Sequence, residues 1–453
     1  MPIEDLVSRL ESLDIRLQTE GEKLLVSAPS GALTTELKAE IASRKQELLA
    51  VLRDSVELAF DPADAATLED PYPVYASLRE HDPVHRSPAG PWVITRYDDV
   101  LQALGDGRLL NAPAPYATVN RRNEDRYISA AIANNILPFL DPPRHTPLRQ
   151  TISRTFRNQL RRHPPNVRGI ANRLLDTCRA KGEIDLVHEF GRPLSASVFG
   201  ELLGVPEGDR HQLVRWSELF FYLFVPIAST KVLADMEKGL GEFRDYFARL
   251  IEQRRRSPGL DLISALVSDA GGGRTFTDME LTDTCMLLFS DGVENIDSAI
   301  GNGIVAMLAH PDQLRLLKER PELMGTAAEE CLRFDAPSQF IARIAREDIE
   351  IGGSSIREGE ALLLVLASAN RDPSRFSEPD RLDVERAENP HLTFGRGHHF
   401  CIGAQIVREH VREGLGAILE KLADLELAEA RIRRANRPGH RWLDGLPVTF
   451  APY

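Results

Sequence analysis

The residues best placed to do chemistry lie in the run Phe394-Gly-Arg-Gly-His-His-Phe-Cys401-Ile-Gly-Ala, which leads into a helical pattern from Ala404 to about Leu422. A cysteine at a helix N-terminus faces free backbone N–H groups and the positive end of the helix dipole. Both favour the thiolate, the form that binds a transition metal such as iron. Gly395, Gly397 and Gly403 allow turns and close approaches that a Cβ would block. Phe394 is placed to cover the sulfur side and limit water, a lever on redox potential. The other cysteines, Cys178, Cys285 and Cys331, have no such neighbours and read as small buried hydrophobes. Zinc is the rival occupant for His398, His399 and Cys401, although three close ligands without a second pair make a poor tetrahedral site.

Three further groups carry chemistry. Glu330 and Arg333 are three apart on one helical face, close enough to pair, which by itself is a common surface arrangement. His145 and Arg149 follow Asp141-Pro-Pro at a helix start and can aim two donors at one carboxylate; in isolation such a pair is most often a solvated face. Asp291-Gly-Val-Glu-Asn-Ile interrupts the apolar helical pattern running from Asp278 to about Ala309. Acids and a glycine in mid-helix are costly, the glycine alone by about 1 kcal/mol, so a compensating role is expected.

Taken together, the pattern Phe394-Gly-x-Gly-x-His-x-Cys-x-Gly resembles the haem-binding signature of the cytochrome P-450 superfamily. The resemblance runs from about Phe60 to the C-terminus and is nearest to the soluble bacterial class, which is fed electrons by a separate ferredoxin or flavodoxin. It implies haem b (iron protoporphyrin IX) ligated by Cys401, with molecular oxygen as oxidant. Glu330 and Arg333 match a Glu-x-x-Arg motif whose third member is expected to be Arg381, the three holding the cysteine loop. His145, Arg149, Arg343 and His399 match haem-propionate contacts. The Asp278–Ala309 segment resembles the oxygen-binding helix, where Gly292 and Glu294 fit the usual pattern. Asp291 replaces a small residue and Asn295 stands where a threonine is usual. An amide can hold a water or bound oxygen but cannot relay a proton as a hydroxyl does. Asn295 therefore positions a water relay with Glu294, or the substrate supplies the hydroxyl, or the reaction is not a simple hydroxylation, or the replacement is neutral.

These residues must be held by a large scaffold. The chain has 453 residues, 42% apolar and 27% charged, which suits one large domain and a minor one. Scattered cysteines fit a reducing cytoplasm. No apolar run reaches membrane-spanning length, and a formal charge of −13 argues against broad nucleic-acid binding. Long amphipathic helices dominate, with short strands expected at Val84–Arg86, Trp92–Thr95, Ile349–Ile351 and Ala361–Val365, so the fold class is mainly α with minor β. Substrate contacts are expected from residues 111–138 and 216–231, the distal helix and residues 336–341.

Residues 1–55 read as a separate unit of helix, β-hairpin and helix. Ile3, Leu6, Leu10 and Leu13 form a helical stripe; Ile15 and Leu17 pair across a Glu20-Gly21 turn with Leu24–Val26. Thr34 caps a helix carrying Leu37, Ile41, Leu48 and Leu52 to about Arg53. This could be a simple extension packed on the main domain. The run, particularly Ala28-Pro-Ser-Gly-Ala-Leu-Thr and Arg44-Lys-Gln-Glu-Leu-Leu, resembles docking domains at the start of nonribosomal peptide synthetase subunits, of the tubulysin-synthetase type. Such a domain implies a synthetase partner captured on the hairpin edge. Residues 54–70 read as a linker into a catalytic domain spanning 56–453. The expected function is oxidative tailoring of a nonribosomal peptide or mixed peptide–polyketide. The alternatives are non-hydroxylating haem-thiolate chemistry and a silent recruitment protein.

Overall fold

A computed structural model describes residues 3–13, 15–20, 23–29, 32–49, 60–87, 90–114, 117–178, 180–225, 229–269, 276–429 and 432–452. The chain divides into two compact units, one of Met1–Asp61 with Ser87–Ala89 and one of Pro62–Arg86 with Gly90–Tyr453.

In the first unit a helix, Ile3–Ser12, precedes an antiparallel hairpin of Arg16–Glu20 and Lys23–Ser27, in register from Arg16 opposite Ser27 to Glu20 opposite Lys23. The expected turn residue Gly21 lies outside the described residues. Thr34 then caps the helix Thr35–Ser43, its hydroxyl accepting the Leu37 N–H at 3.2 Å. Leu6, Leu10, Ile15, Leu37, Ile41 and Leu48 close one small core. Two details differ from the sequence expectation. The first helix stops at Ser12, which leaves Leu13 41% exposed rather than on the buried stripe. The second helix breaks at Arg44, and Leu52 and Arg53 lie outside the described residues.

In the second unit the stretch read as linker contains a helix, Ala65–Glu69, because the Asp64 carboxylate accepts the N–H groups of Ala66 and Thr67. The main sheet has the strand order Val84–Arg86, Trp92–Ile94, Ala361–Leu364, Ile341–Ala345, Leu109–Leu110. The pairings are antiparallel except that of Ala361–Leu364 with Trp92–Ile94. A separate hairpin pairs Ile349–Ile351 with Ser354–Ile356.

Asp278–Ala309 is one unbroken helix of 32 residues. Thr277 and Glu280 close its start by a reciprocal capping box. It is apolar nearly all round because other helices surround it: Arg192–Leu203, Glu207–Phe220, Thr230–Arg256, Met324–Phe334 and Ala404–Lys421 all pack on it. A helix so enclosed can carry polar residues in its middle only where neighbours or an internal space accommodate them. It therefore fixes every functional group on its length against a rigid surround.

Candidate functional site

The cysteine loop is held by hydrogen bonds at both ends. Cys401 N–H donates to the Phe394 carbonyl at 2.9 Å, and Gly395 N–H to Leu392 at 2.8 Å. Gly395 and Gly397 have φ of +66° and +72°, a conformation that side chains rarely adopt, and a Cβ on Gly397 would meet the Leu104 carbonyl oxygen at 2.9 Å. Thr393 donates its hydroxyl to Leu332 at 2.8 Å, and Glu329 accepts from Arg408 at 2.7 Å while pairing with His391 at 3.2 Å. Arg408 lies over the Phe394 ring at 4.4 Å. The loop is thus tied to the helix Met324–Phe334, and Cys401 sits three residues before the helix Ala404–Lys421.

Beneath the loop, Glu330 and Arg333 are fully buried and bidentate, both contacts 2.7 Å. The third side chain is Arg386, whose Nε lies 3.1 and 3.2 Å from the two Glu330 oxygens. This corrects the expectation of Arg381. That side chain turns outward to pair with Glu378 at 3.2 Å, and only its backbone carbonyl reaches Arg333. Asn389 and the Asp383 N–H complete the shell of Glu330.

His145, Arg149, Arg343 and His399 are brought together from three distant segments. The His145 and His399 rings are 4.2 Å apart, and Arg149 donates to the Phe400 carbonyl. Burial, then the neighbouring cations, pushes His145 down to about 4 and His399 to about 3, and burial lowers Arg343 to about 10. Neither ring nitrogen of the buried His145 has a hydrogen-bond partner among the described residues. The cluster is a set of donors and latent cations in want of an anion.

The Cys401 thiol differs from its expectation. Burial, reinforced by the charge of Asp291, raises it to about 11, outweighing the Gly403 N–H, Arg149 and Arg408, which lower it. Desolvation beats the helix terminus here, and a coordinated cation is what reverses such a balance.

The middle of the distal helix presents its polar groups in two directions. Glu294 is buried, accepts from the Ser217 hydroxyl at 2.8 Å, and is pushed up to about 8 by burial and then by Asp297. It lines a polar cavity of about 290 Å³ with His188, Arg192, Glu218, Asp297 and Arg437. There Arg192 bridges Asp297 at 3.1 Å and Glu218 at 2.9 Å. Asp291 faces the other way. Its side chain is accessible yet enclosed by the fold, so it faces an internal space, and burial alone raises it to about 7. Its charge is felt at Cys401. Asn295 Oδ1 accepts from Trp442 Nε1 at 3.0 Å and from Ser338 Oγ at 3.4 Å. At Gly292 a Cβ would collide with the Phe199 ring, so the missing side chain lets the helix Arg192–Leu203 pack closely there.

A family model described as Cytochrome P450 matches residues 93–429, and one described as TubC N-terminal docking domain matches residues 3–54. The chain belongs to the cytochrome P450 family. The biotin biosynthesis cytochrome P450 of Bacillus subtilis (strain 168) is 34% identical over 400 residues, covering 87% of this chain and 99% of its own. The monooxygenase PikC of Streptomyces venezuelae is 38% identical, covering 84% and 91%. Among solved structures, CalO2 superposes with a TM-score of 0.81 at 34% identity, covering 87% of this chain and 99% of its own. P450BioI in complex with an acyl carrier protein ligated to hexadec-9Z-enoic acid gives 0.78 at 34%, covering 85% and 99%. This P450 is accordingly a monooxygenase, an oxidoreductase related to P450s of secondary-metabolite tailoring, and its docking domain implies an assembly-line partner. No helix among the described residues is long and apolar enough to cross a membrane.

The family implies haem, and the residues fit it. Two propionate carboxylates match the cation cluster and the orphaned His145 nitrogens. Gly395 leaves open space where a Cβ would stand, and the lone Cys401 thiol in that loop would supply the iron with a single sulfur ligand. Among the described residues no three of His, Cys, Asp and Glu converge as a bare metal ion needs, which leaves zinc without a site. Sequence reasoning missed Arg386, Ser217, Arg192, Asp297 and Trp442. Ser217, Arg192, Trp442 and Arg386 meet partners from distant segments and carry no local sign of it, whereas Asp297 lies on the distal helix itself, one turn from Glu294, and could have been found there. Asp335 binds Arg434, Arg441 and the Tyr72 hydroxyl at 3.2, 3.1 and 2.8 Å, and so fixes the hairpin of Arg433–Arg434 and Leu443–Gly445 that bears Trp442.

Proposed function

We propose that this P450 oxidises a nonribosomal peptide or mixed peptide–polyketide intermediate while residues 1–55 hold it on a synthetase subunit. The observation that carries this reading is the union, in one chain, of a docking-domain match and a P450 match. The two-stranded hairpin supports it, because the strand Lys23–Ser27 has one edge without a strand partner among the described residues and Val26 is 37% exposed. Such an edge accepts an extended tail. Recruitment raises the local substrate concentration without new contacts at the site. The relative P450BioI, crystallised with an acyl carrier protein, supports a carrier-bound substrate.

In this reading Cys401 ligates haem b, with His145, Arg149, Arg343 and His399 on the propionates and Phe394 and Gly395 shaping the cysteine side. The bound haem supplies oxygen and redox chemistry, with molecular oxygen as oxidant and two electrons from a ferredoxin or flavodoxin in the cytoplasm. Glu294 holds a proton at neutral pH and can pass it between the polar cavity and the distal side, with Ser217 fixing its carboxyl and Arg192 stabilising the anion left behind. Asn295 positions rather than relays. The decisive experiment is a pull-down of synthetase C-terminal tails from the same gene cluster with the full chain and with a chain lacking residues 1–55. Equal binding by the two ends the recruitment reading.

A second reading, non-hydroxylating chemistry, is favoured by one observation: the Asn295 amide oxygen is taken by Trp442, and the residue has no hydroxyl to offer. Turnover that proceeds without oxygen and without an electron donor selects it. A reduced carbon-monoxide spectrum without the thiolate signature selects a silent recruitment protein.

A further inference from the structure

Trp442 decides which way the Asn295 amide faces. An indole N–H can only donate, so the atom 3.0 Å from Trp442 Nε1 must be the amide oxygen. Ser338 Oγ lies on that same oxygen at 3.4 Å. Rotating the amide would set its NH2 against the indole N–H, donor against donor, and leave the buried indole donor unmet. The group left for a ligand is therefore the Nδ2 amine, a donor only. It has no partner among the described residues and is not sealed in the core. Asn295 is also absent from the lining of the Glu294 cavity.

One turn earlier stands Asp291. Residues four apart share a helix face, their Cβ atoms about 5–6 Å apart. The Asp291 carboxyl is accessible within an enclosed space, and no donor among the described residues reaches it. In either protonation state it accepts an N–H. The helix thus sets an acceptor beside a donor, both unspent, where the family pattern has a small residue and a hydroxyl.

We infer that Asp291 and Asn295 together recognise an amide group of the substrate, Asp291 accepting its N–H and Asn295 donating to its carbonyl, so that the site selects aminoacyl or peptidyl ligands. The inference deepens the assembly-line reading and rests on it for the source of such a substrate. A hydrocarbon chain would leave both groups unmet, and an ester would satisfy Asn295 alone. An amide satisfies both.

The test is calorimetric binding to the haem-loaded full chain, using N-acetyl amino-acid N-methylamides with each of the natural side chains. Each is paired with its ester analogue, in which oxygen replaces every N–H. At least one amide is expected to bind about 10- to 100-fold tighter than its ester, the range of a hydrogen bond to a charged group. Asp291→Ala, and Asp291→Val as a second variant, should bring that ratio within about twofold, while Asn295→Ala weakens amide and ester alike by about 5- to 10-fold. Absence of any amide binding, no pair preferring the amide by more than twofold, or a ratio unchanged in both Asp291 variants overturns the inference. Failure of recruitment with the amide preference intact sinks the assembly-line reading instead; recruitment without the preference sinks only this one.

Discussion

The network beneath the cysteine loop and the middle of the distal helix treat buried charge in opposite ways. Toward the cysteine loop, Glu330 has every oxygen engaged by Arg333, Arg386, Asn389 and a backbone N–H, and Arg333 spends its remaining donors on the carbonyls of Asn370, Pro379 and Arg381. In mid-helix, Asp291 has no donor among the described residues and Glu294 has a hydroxyl with Arg192 nearby, and both are raised into the range of neutral pH. Satisfied charges hold one geometry and change little. Incompletely paired acids exchange protons and ligands. The first network supports a loop, whereas the second is equipped to act.

The largest test of that contrast removes the carboxylate at its centre. Glu330→Ala leaves Arg333 buried and unpaired and should cost about 3–5 kcal/mol in denaturant unfolding of the holoenzyme, with haem retention falling in parallel. If it costs under about 1 kcal/mol, the network is not what holds the loop.

On the active side, Glu294→Gln should leave stability near wild type but lower turnover about 100-fold. The sign of the pH effect follows from the raised acid. Glu294 carries its proton below about pH 8 and loses it as pH rises through that value, so wild-type turnover should fall on the alkaline side. The glutamine variant should lack that limb, and a limb that persists would assign it to another group.

Trp442→Phe keeps the aromatic packing against Phe221, whose ring lies 4.5 Å away, and deletes the indole donor. About 1 kcal/mol of stability should be lost, and with the Asn295 amide free to rotate, amide and ester should both bind several-fold more weakly while the ratio between them, set by Asp291, is kept. The smallest effect separates two arginines. Arg381→Ala should change stability by less than about 0.5 kcal/mol, because its side chain is exposed, while Arg386→Ala should cost several times more.

Much of the architecture was legible because it is written locally. The cysteine loop depends on glycines and a following helix; the Thr34 cap and the hairpin depend on residues within a few positions of one another. The departures at Asp291 and Asn295 were visible for the same reason. Arg381 misled because it lies in the right segment with the right chemistry, and only the path of the chain after Pro379 turns it outward and brings Arg386 in. The thiol misled because a helix terminus can be read from sequence and burial cannot.

By itself the sequence determined which groups are present and their spacing along each helix: one cysteine in a glycine-rich loop, cations for an acidic cofactor, and an acid and an amide where an oxygen-binding helix expects a small residue and a hydroxyl. The tertiary structure decided which of those groups are spent. Glu330 is saturated, His145 is orphaned, and Asn295 has its oxygen taken by a tryptophan 147 residues away. Hydrogen-bond capacity is finite and directional, so what a side chain can still offer a ligand is fixed only after the rest of the fold has taken its share.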